Sequence, residues 1–271
     1  MKRCILCGLI GSCLFVHAQS VSTLMGARVA GMGYASSVLG DETALFNNPG
    51  AIAKVPTPST YFAYEVNSAL TSANRTSAGF SMPTRFGVGG LGLFRFGDNF
   101  YSEQMISVGF SNKLGIASLG AKINYIQYRS EGFGTKSAVA MDFGGLVQIT
   151  PQISVGAYIV NLTQSKISSD EYLPVRLVAG LGFKPSEQFF FCTEIEKDMD
   201  NKSTWRSGAE YTIHKKVFVR TGFNLNPSAA FFGLGAQARR LKIDYAIKFA
   251  SILGATHQAS ATYQFERRSK K

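Results

Sequence analysis

The 271-residue chain carries 28 Lys and Arg against 17 Asp and Glu, a formal charge of +11, and 45% of its residues are hydrophobic. The basic residues are scattered singly or in pairs, apart from the tail Arg267, Arg268, Lys270 and Lys271, which argues against the clustered arm of a nucleic-acid binder and suits a wet lumen or rim. After residue 18 no apolar run approaches the roughly 20 residues that a helical span requires, so any crossing of a bilayer has to be made by strands.

Residues 1–18 read as an export signal. Lys2 and Arg3 supply the positive start, Cys4 to Val16 an apolar stretch too short to span, and Val16-His17-Ala18 a small-residue site for cleavage before Gln19. Ile10-Gly11-Ser12-Cys13 offers the alternative of a lipoprotein site. Cys4, Cys7 and Cys13 leave with the signal, so Cys192 has no intramolecular partner and is expected to be a packed small residue.

Residues 19–56 are rich in Gly and Ala and follow no period. They contain Gly26-Ala27-Arg28, then Gly31-Met32-Gly33-Tyr34-Ala35, then Asp41-Glu42-Thr43-Ala44-Leu45-Phe46-Asn47-Asn48-Pro49-Gly50. Over about residues 25–54 this pattern resembles the opening of the PorV/PorQ-like outer-membrane proteins, which are similar to the long-chain fatty-acid transporter (FadL) family. Gly50 departs from the Ala usual in that motif. The resemblance implies a fourteen-stranded barrel with an N-terminal segment inside its lumen. It also implies a role either in passive uptake of hydrophobic small molecules or as a type IX secretion component that binds exported proteins. As a plug, the segment makes physical sense. Gly26, Gly31 and Gly33 permit tight packing and φ > 0 turns, Asn47 and Asn48 can satisfy loop backbone, and Pro49 fixes φ. Irregular backbone at membrane depth has to be enclosed by protein or water. Gly26, Arg28, Gly31, Gly33, Asp41, Asn47, Asn48 and Pro49 are the candidate plug residues.

From 57 to 266 the chain alternates apolar and polar residues in short runs, a period-two signal of strands. Leu241, Ile243, Tyr245, Ile247 and Phe249 share one face, opposite Lys242, Asp244, Ala246 and Lys248. Counted with the family architecture in view, the candidates are 58–66, 75–82, 85–96, 102–112, 115–128, 135–149, 152–161, 172–184, 187–196, 203–212, 215–225, 228–238, 240–249 and 257–266. An even count suits a bacterial single-chain barrel. Tyr61, Tyr64, Phe94, Phe96, Tyr101, Tyr125, Tyr128, Tyr172, Tyr211, Tyr263 and Phe265 recur near strand ends, as interfacial aromatic girdles would. The fold expected is therefore all-β: a transmembrane antiparallel barrel of about 14 strands over 57–266, with a plug at 19–56 and a basic tail at 267–271, located in the outer membrane among its lipids.

Signals of chemistry are weak. Gly87-Val88-Gly89-Gly90-Leu91-Gly92 spells G-x-G-x-x-G, but a strand-like run follows where a dinucleotide site needs a helix. Glu194, Glu196, Asp198 and Asp200 cluster without a calcium-loop pattern and are expected on a solvated rim. His214 and His257 stand alone. No catalytic residue, metal ligand or cofactor site is assigned, and no enzymatic activity is expected. The partners expected are lipid and either hydrophobic small molecules or secreted proteins, not nucleic acid.

Overall fold

The computed structural model describes residues 22–168, 171–199, 201–250 and 254–266; the segments read as signal (1–18) and basic tail (267–271) lie outside the described residues. The strands are β1 (Ser59–Asn67), β2 (Arg75–Pro83), β3 (Val88–Gly97), β4 (Tyr101–Leu114), β5 (Ala117–Ser130), β6 (Gly134–Gln148), β7 (Ile153–Val160), β8 (Lys166–Ser168), β9 (Glu171–Tyr172), β10 (Arg176–Phe183), β11 (Phe189–Asp198), β12 (Thr204–Ile213), β13 (Val217–Leu225), β14 (Ala229–Ala238), β15 (Leu241–Ala250) and β16 (Gly254–Gln264). β8 and β9 form a small hairpin of their own. The other fourteen close into one antiparallel barrel, each paired with its neighbour in sequence, and β1 joins β16 from Ser59↔Gln264 to Asn67↔Thr256. Closure leaves no edge at the ends of the chain, which is what allows strands to cross a bilayer.

The alternation explains the two faces. On β15, Leu241, Ile243, Tyr245 and Phe249 are exposed outward, whereas Asp244 and Ala246 are buried inward. Across β3–β6 the register lines up outward rows. Leu93, Ile106, Tyr125 and Val139 form one apolar row, and the next row toward the strand ends is Arg95, Gln104, Gln127 and Ser137. On β4 the outward residues Ile106, Val108, Phe110 and Leu114, with Asn112 between the last two, span about 27 Å along the strand, or about 20 Å across a bilayer at a tilt of roughly 40°. A closed sheet whose exterior is predominantly apolar over that height has hydrocarbon as its solvent.

Four of the aromatics expected in the girdles face the other way, among them Phe96, which is half-buried against the core. Tyr61, Phe94 and Tyr128 are buried on the inward parity; Tyr61 stacks at 5.8 Å from Phe46 and accepts a hydrogen bond from Ser77. Tyr64, Tyr101, Tyr125, Tyr172, Tyr211, Tyr263 and Phe265 are exposed. Proximity to a strand end does not set which face a residue takes; parity does.

Two strands begin later than the sequence suggests. Thr84 closes a turn onto Gly87, whose φ of 150° suits glycine alone, so β3 starts at Val88. Pro174 cannot donate to a ladder, so β10 starts at Arg176 and Tyr172 belongs to the β8–β9 hairpin. That hairpin covers a local seam. β6 pairs with β5 along its full length but with β7 only from Phe143↔Ile159 to Gln148↔Ser154. β7 ends where Asn161 takes a left-handed φ of 54°. Beyond it the free edge of β6 is met by single groups: Leu162 N–H donates to Met141 O (2.7 Å), Met141 N–H to Thr163 Oγ1 (3.2 Å) and Ser165 Oγ to Val139 O (2.5 Å).

Candidate functional site

The lumen is filled by the chain itself. Residues 24–52 are buried inside the barrel apart from the half-buried Arg28 and Gly40. They form a helix α1 (Ala27–Gly31) and 3₁₀ turns at Ala44–Phe46 and Pro49–Lys54. Gly26 and Gly33 take positive φ, 126° and 68°, and so turn the chain into and out of α1. Gly31 serves differently: a Cβ there would lie 3.0 Å from the backbone of Gly233.

The expected polar residues each have lumenal partners. Arg28 bridges Asp41 (2.9 Å) and Glu210 (2.7 and 2.9 Å). Glu210 also accepts from Arg220 (2.5 Å), which donates onward to Asp244 (2.8 Å). Asp41 accepts from Thr43 N–H and Thr43 Oγ1. Burial alone would raise the Asp41 carboxyl, but the charges of Arg28 and Lys242 and the Thr43 hydrogen bonds hold it below the ordinary carboxylate range. Asn47 donates to Met25 O and Thr43 O. Asn48 donates to Ser37 O and to Gly145 O on the wall, and its side chain caps the turn that Pro49 opens by accepting from Gly50 N–H. Gly50 has a local reason to be glycine: a Cβ would meet Gly144 O and Gly145 Cα at 2.5 Å.

The wall is cut to match. Leu45 packs over Gly90, Gly92 and Gly109, and Phe46 over Gly79 and Gly92, where added Cβ atoms would come within 2.9–3.3 Å of those side chains. Within the glycine-rich run at 87–92, Gly90 and Gly92 are thus the imprint of Leu45 and Phe46, whereas Gly87 serves the turn before β3. Methyl groups on Gly144, Gly156, Gly208 or Gly222 would drive into Asn48, Ser37, Met32 or Gly33 respectively. Cys192 is buried, and its thiol donates to Ala35 O.

Several lumenal groups were not legible as such. Glu194 and Glu196, expected on a solvated rim, are buried inside. Both pair with Arg206, and Glu194 accepts from Ser36 and Ser37 N–H at 2.8 and 2.7 Å. The usable signal was parity: they alternate with the outward Ile195. Glu65, Arg75 and Tyr34 form a second linked set, with Arg75 Nη2 and Glu65 Oε2 2.5 Å apart and Tyr34 donating to Glu65 at 2.7 Å. Lys122 pairs with Asp142 at 3.0 Å on β5 and β6.

Cavities open at both mouths of the barrel. β1 starts and β16 ends at one mouth of the barrel; the opposite mouth carries the longer connections 67–75 and 160–176, the pattern of an outer-membrane barrel's external side. At that external mouth lies a polar vestibule of about 590 Å³ whose floor includes Leu24 and Tyr34. Beside it, against the β8–β9 hairpin, is an aromatic cleft of about 390 Å³ lined by Tyr101, Tyr128, Phe133, Ile167 and Tyr172. Pro174 borders both. At the inner mouth a cavity of about 290 Å³ is lined by Arg28, Val38, Leu39, Phe189 and Phe190. Lumenal residues thus line the vestibule on one side and the inner cavity on the other, and the segment stands between.

Closed sheet, apolar exterior and filled lumen define a transmembrane β-barrel of the outer-membrane type. Solved structures share this fold. A monoaromatic hydrocarbon channel, CymD, superposes with a TM-score of 0.72 at 13% identity, over 93% of this chain and 100% of that one. The Pseudomonas putida toluene transporter TodX gives 0.66 at 14%, over 88% and 96%. A Pseudomonas aeruginosa FadL homologue gives 0.59 at 13%, over 92% and 99%. No family model matches the chain, and no curated protein matches it. At these identities the likeness is one of fold.

Proposed function

We propose that the chain is a passive outer-membrane channel for hydrophobic small molecules, with residues 19–56 as its plug and 57–266 as its barrel. The observation that carries this reading is the aromatic cleft at the external mouth, beside a lumen stopped by the segment and next to the seam where β6 lacks a full ladder. A small aromatic ring burying about 150 Å² there would gain about 4 kcal/mol, a dissociation constant on the order of 1 mM. Capture of that strength concentrates a solute and still releases it. The fold shared with CymD and TodX, described as a monoaromatic hydrocarbon channel and a toluene transporter, supports the same substrate class. Passage requires the segment to shift, because the buried residues 24–52 stand between the vestibule and the inner cavity. Uptake of labelled toluene by cells expressing the barrel is the test. Uptake above the barrel-free level that falls several-fold in Tyr128→Lys supports the proposal; uptake equal to the barrel-free level overturns it.

The likeness of residues 25–54 to the PorV/PorQ-like proteins supports a second reading, an accessory of type IX secretion that binds exported proteins at the external mouth. Deletion separates the two. Loss of secreted proteins with uptake intact favours the second, and lost uptake with secretion intact favours the first.

A further inference from the structure

The external vestibule has a chemistry that hydrophobic uptake does not use. Five cations line it, Arg75, Arg176, Lys202, Arg206 and Lys248, against two carboxylates, Glu196 and Asp198. Arg75 is already held by Glu65, and Arg206 by Glu194 and Glu196. Arg176, Lys202 and Lys248 have no ion-paired or hydrogen-bonded partner among the described residues, and the Nε of Arg176 and that of Arg206 are buried donors without an acceptor. A buried donor without an acceptor is costly unless a ligand completes it, and the two guanidinium Nε atoms are of that kind, while Lys202 is exposed and Arg176 and Lys248 are half-buried, within reach of a solute in the mouth.

The direction of these groups narrows the ligand. Arg75 comes from β2, Arg176 from β10, Arg206 from β12 and Lys248 from β15, with Lys202 on the β11–β12 connection. Donors therefore converge on the cavity from strands widely separated around the barrel. A carboxylate offers two oxygens in one plane and one charge. A tetrahedral oxyanion offers oxygens in several directions and up to two charges, and the guanidinium fork matches it in geometry. A volume of about 590 Å³ leaves room for more than one phosphoryl group or for a phosphorylated solute.

We infer that the external vestibule is a binding site for phosphate-bearing hydrophilic anions, with Arg176 and Lys248 as its principal unpaired contacts. This site is independent of the hydrophobic cleft, and neither stands or falls with the other.

Calorimetric titration of the folded full-length barrel in non-ionic detergent, with inorganic phosphate and with pyrophosphate, tests the inference. Saturable binding is expected, tighter for pyrophosphate, and Arg176→Gln and Lys248→Gln should each weaken it about tenfold, the loss of one charge-assisted contact. Neither variant breaks an ion pair, and the heat-dependent gel shift of a closed barrel reports that each has folded. Lys113→Gln, exposed at the opposite mouth, should bind as the parent does. The absence of saturable binding in the parent overturns the inference. So does unchanged binding in the Arg176→Gln, Lys248→Gln double variant, or displacement of phosphate by acetate at equal ionic strength.

Discussion

Two sides of the lumen hold the same segment by different means. Where the turns at 44–54 meet β2–β6, contact is by shape: Leu45, Phe46 and Ile52 enter hollows left by Gly79, Gly90, Gly92 and Gly109, and Pro49–Gly50 lie on the backbone of Gly120 and Gly144. Where α1 and Tyr34 meet the β12–β16 and β1–β2 side, close packing of Gly31, Met32 and Gly33 on Gly233, Gly208 and Gly222 is joined by charge, through Arg28–Glu210–Arg220–Asp244 and Tyr34–Glu65–Arg75. Shape contact depends on volume and is indifferent to pH. Ionic contact inside a barrel depends on every partner being present, since each charge left alone keeps its desolvation cost. A segment that had to come free at one end would be built this way, with one side that solution conditions can loosen and another that they cannot.

The largest effect should come from breaking the ionic side at its hub. Glu210→Gln leaves Arg28 and the fully buried Arg220 without their shared carboxylate, and a loss of about 3–5 kcal/mol is expected in urea unfolding of the barrel in vesicles. Arg28→Met added to Glu210→Gln should recover part of it, because only Arg220, still held by Asp244, is then left short of a partner. A loss under about 1 kcal/mol would mean that the ionic side does not anchor the segment.

A smaller effect should follow from filling a hollow on the other side. In Gly109→Val the new Cβ would stand 2.9 Å from the end of Leu45 and 3.3 Å from the end of Ile52. Both are flexible side-chain ends, so about 1–3 kcal/mol is expected. Leu45→Ala in the same chain should be less harmful than it is alone, with a coupling of about 0.5–3 kcal/mol measured by the same unfolding cycle. Strict additivity would mean that Leu45 does not sit in the Gly109 hollow.

The strand content was legible because one side of each strand faces lipid, and that solvent imposes strict alternation. Thus Leu241 to Phe249 identifies both the strand and its outer face. The inner face obeys no such rule. Its residues answer to the particular segment that lies against them, so the glycines of β3 looked like a nucleotide motif and Glu194 and Glu196 looked like a rim. The polar members of the segment could be named from their motif, but their partners could not. Arg28 finds Glu210 across 182 residues, a contact that only barrel closure creates. The β8–β9 hairpin escaped because its strands have three and two residues, too few to show a period.

Acidification separates the two sides most gently. Asp41 accepts from Arg28 and from the Thr43 amide, and its carboxyl is held below the ordinary range when the segment is in place. In a released segment the same carboxyl would return toward about 3.9. A group whose bound value is depressed contributes its stabilisation fully above the free value and loses it as pH falls through the bound one. Hydrogen exchange should therefore show the amides of Thr43 and Ala30 losing protection as pH falls below about 4, after correction for the intrinsic exchange rate. The amides of Ala51 and Val55, on the shape-held side, should keep theirs. In Asp41→Asn that pH-dependent loss should shrink, and the cost at neutral pH should stay below that of Glu210→Gln, because Arg28 retains Glu210 as a partner. Protection that falls equally on both sides would show that the segment leaves as one rigid body and that the division between charge and shape has no mechanical consequence.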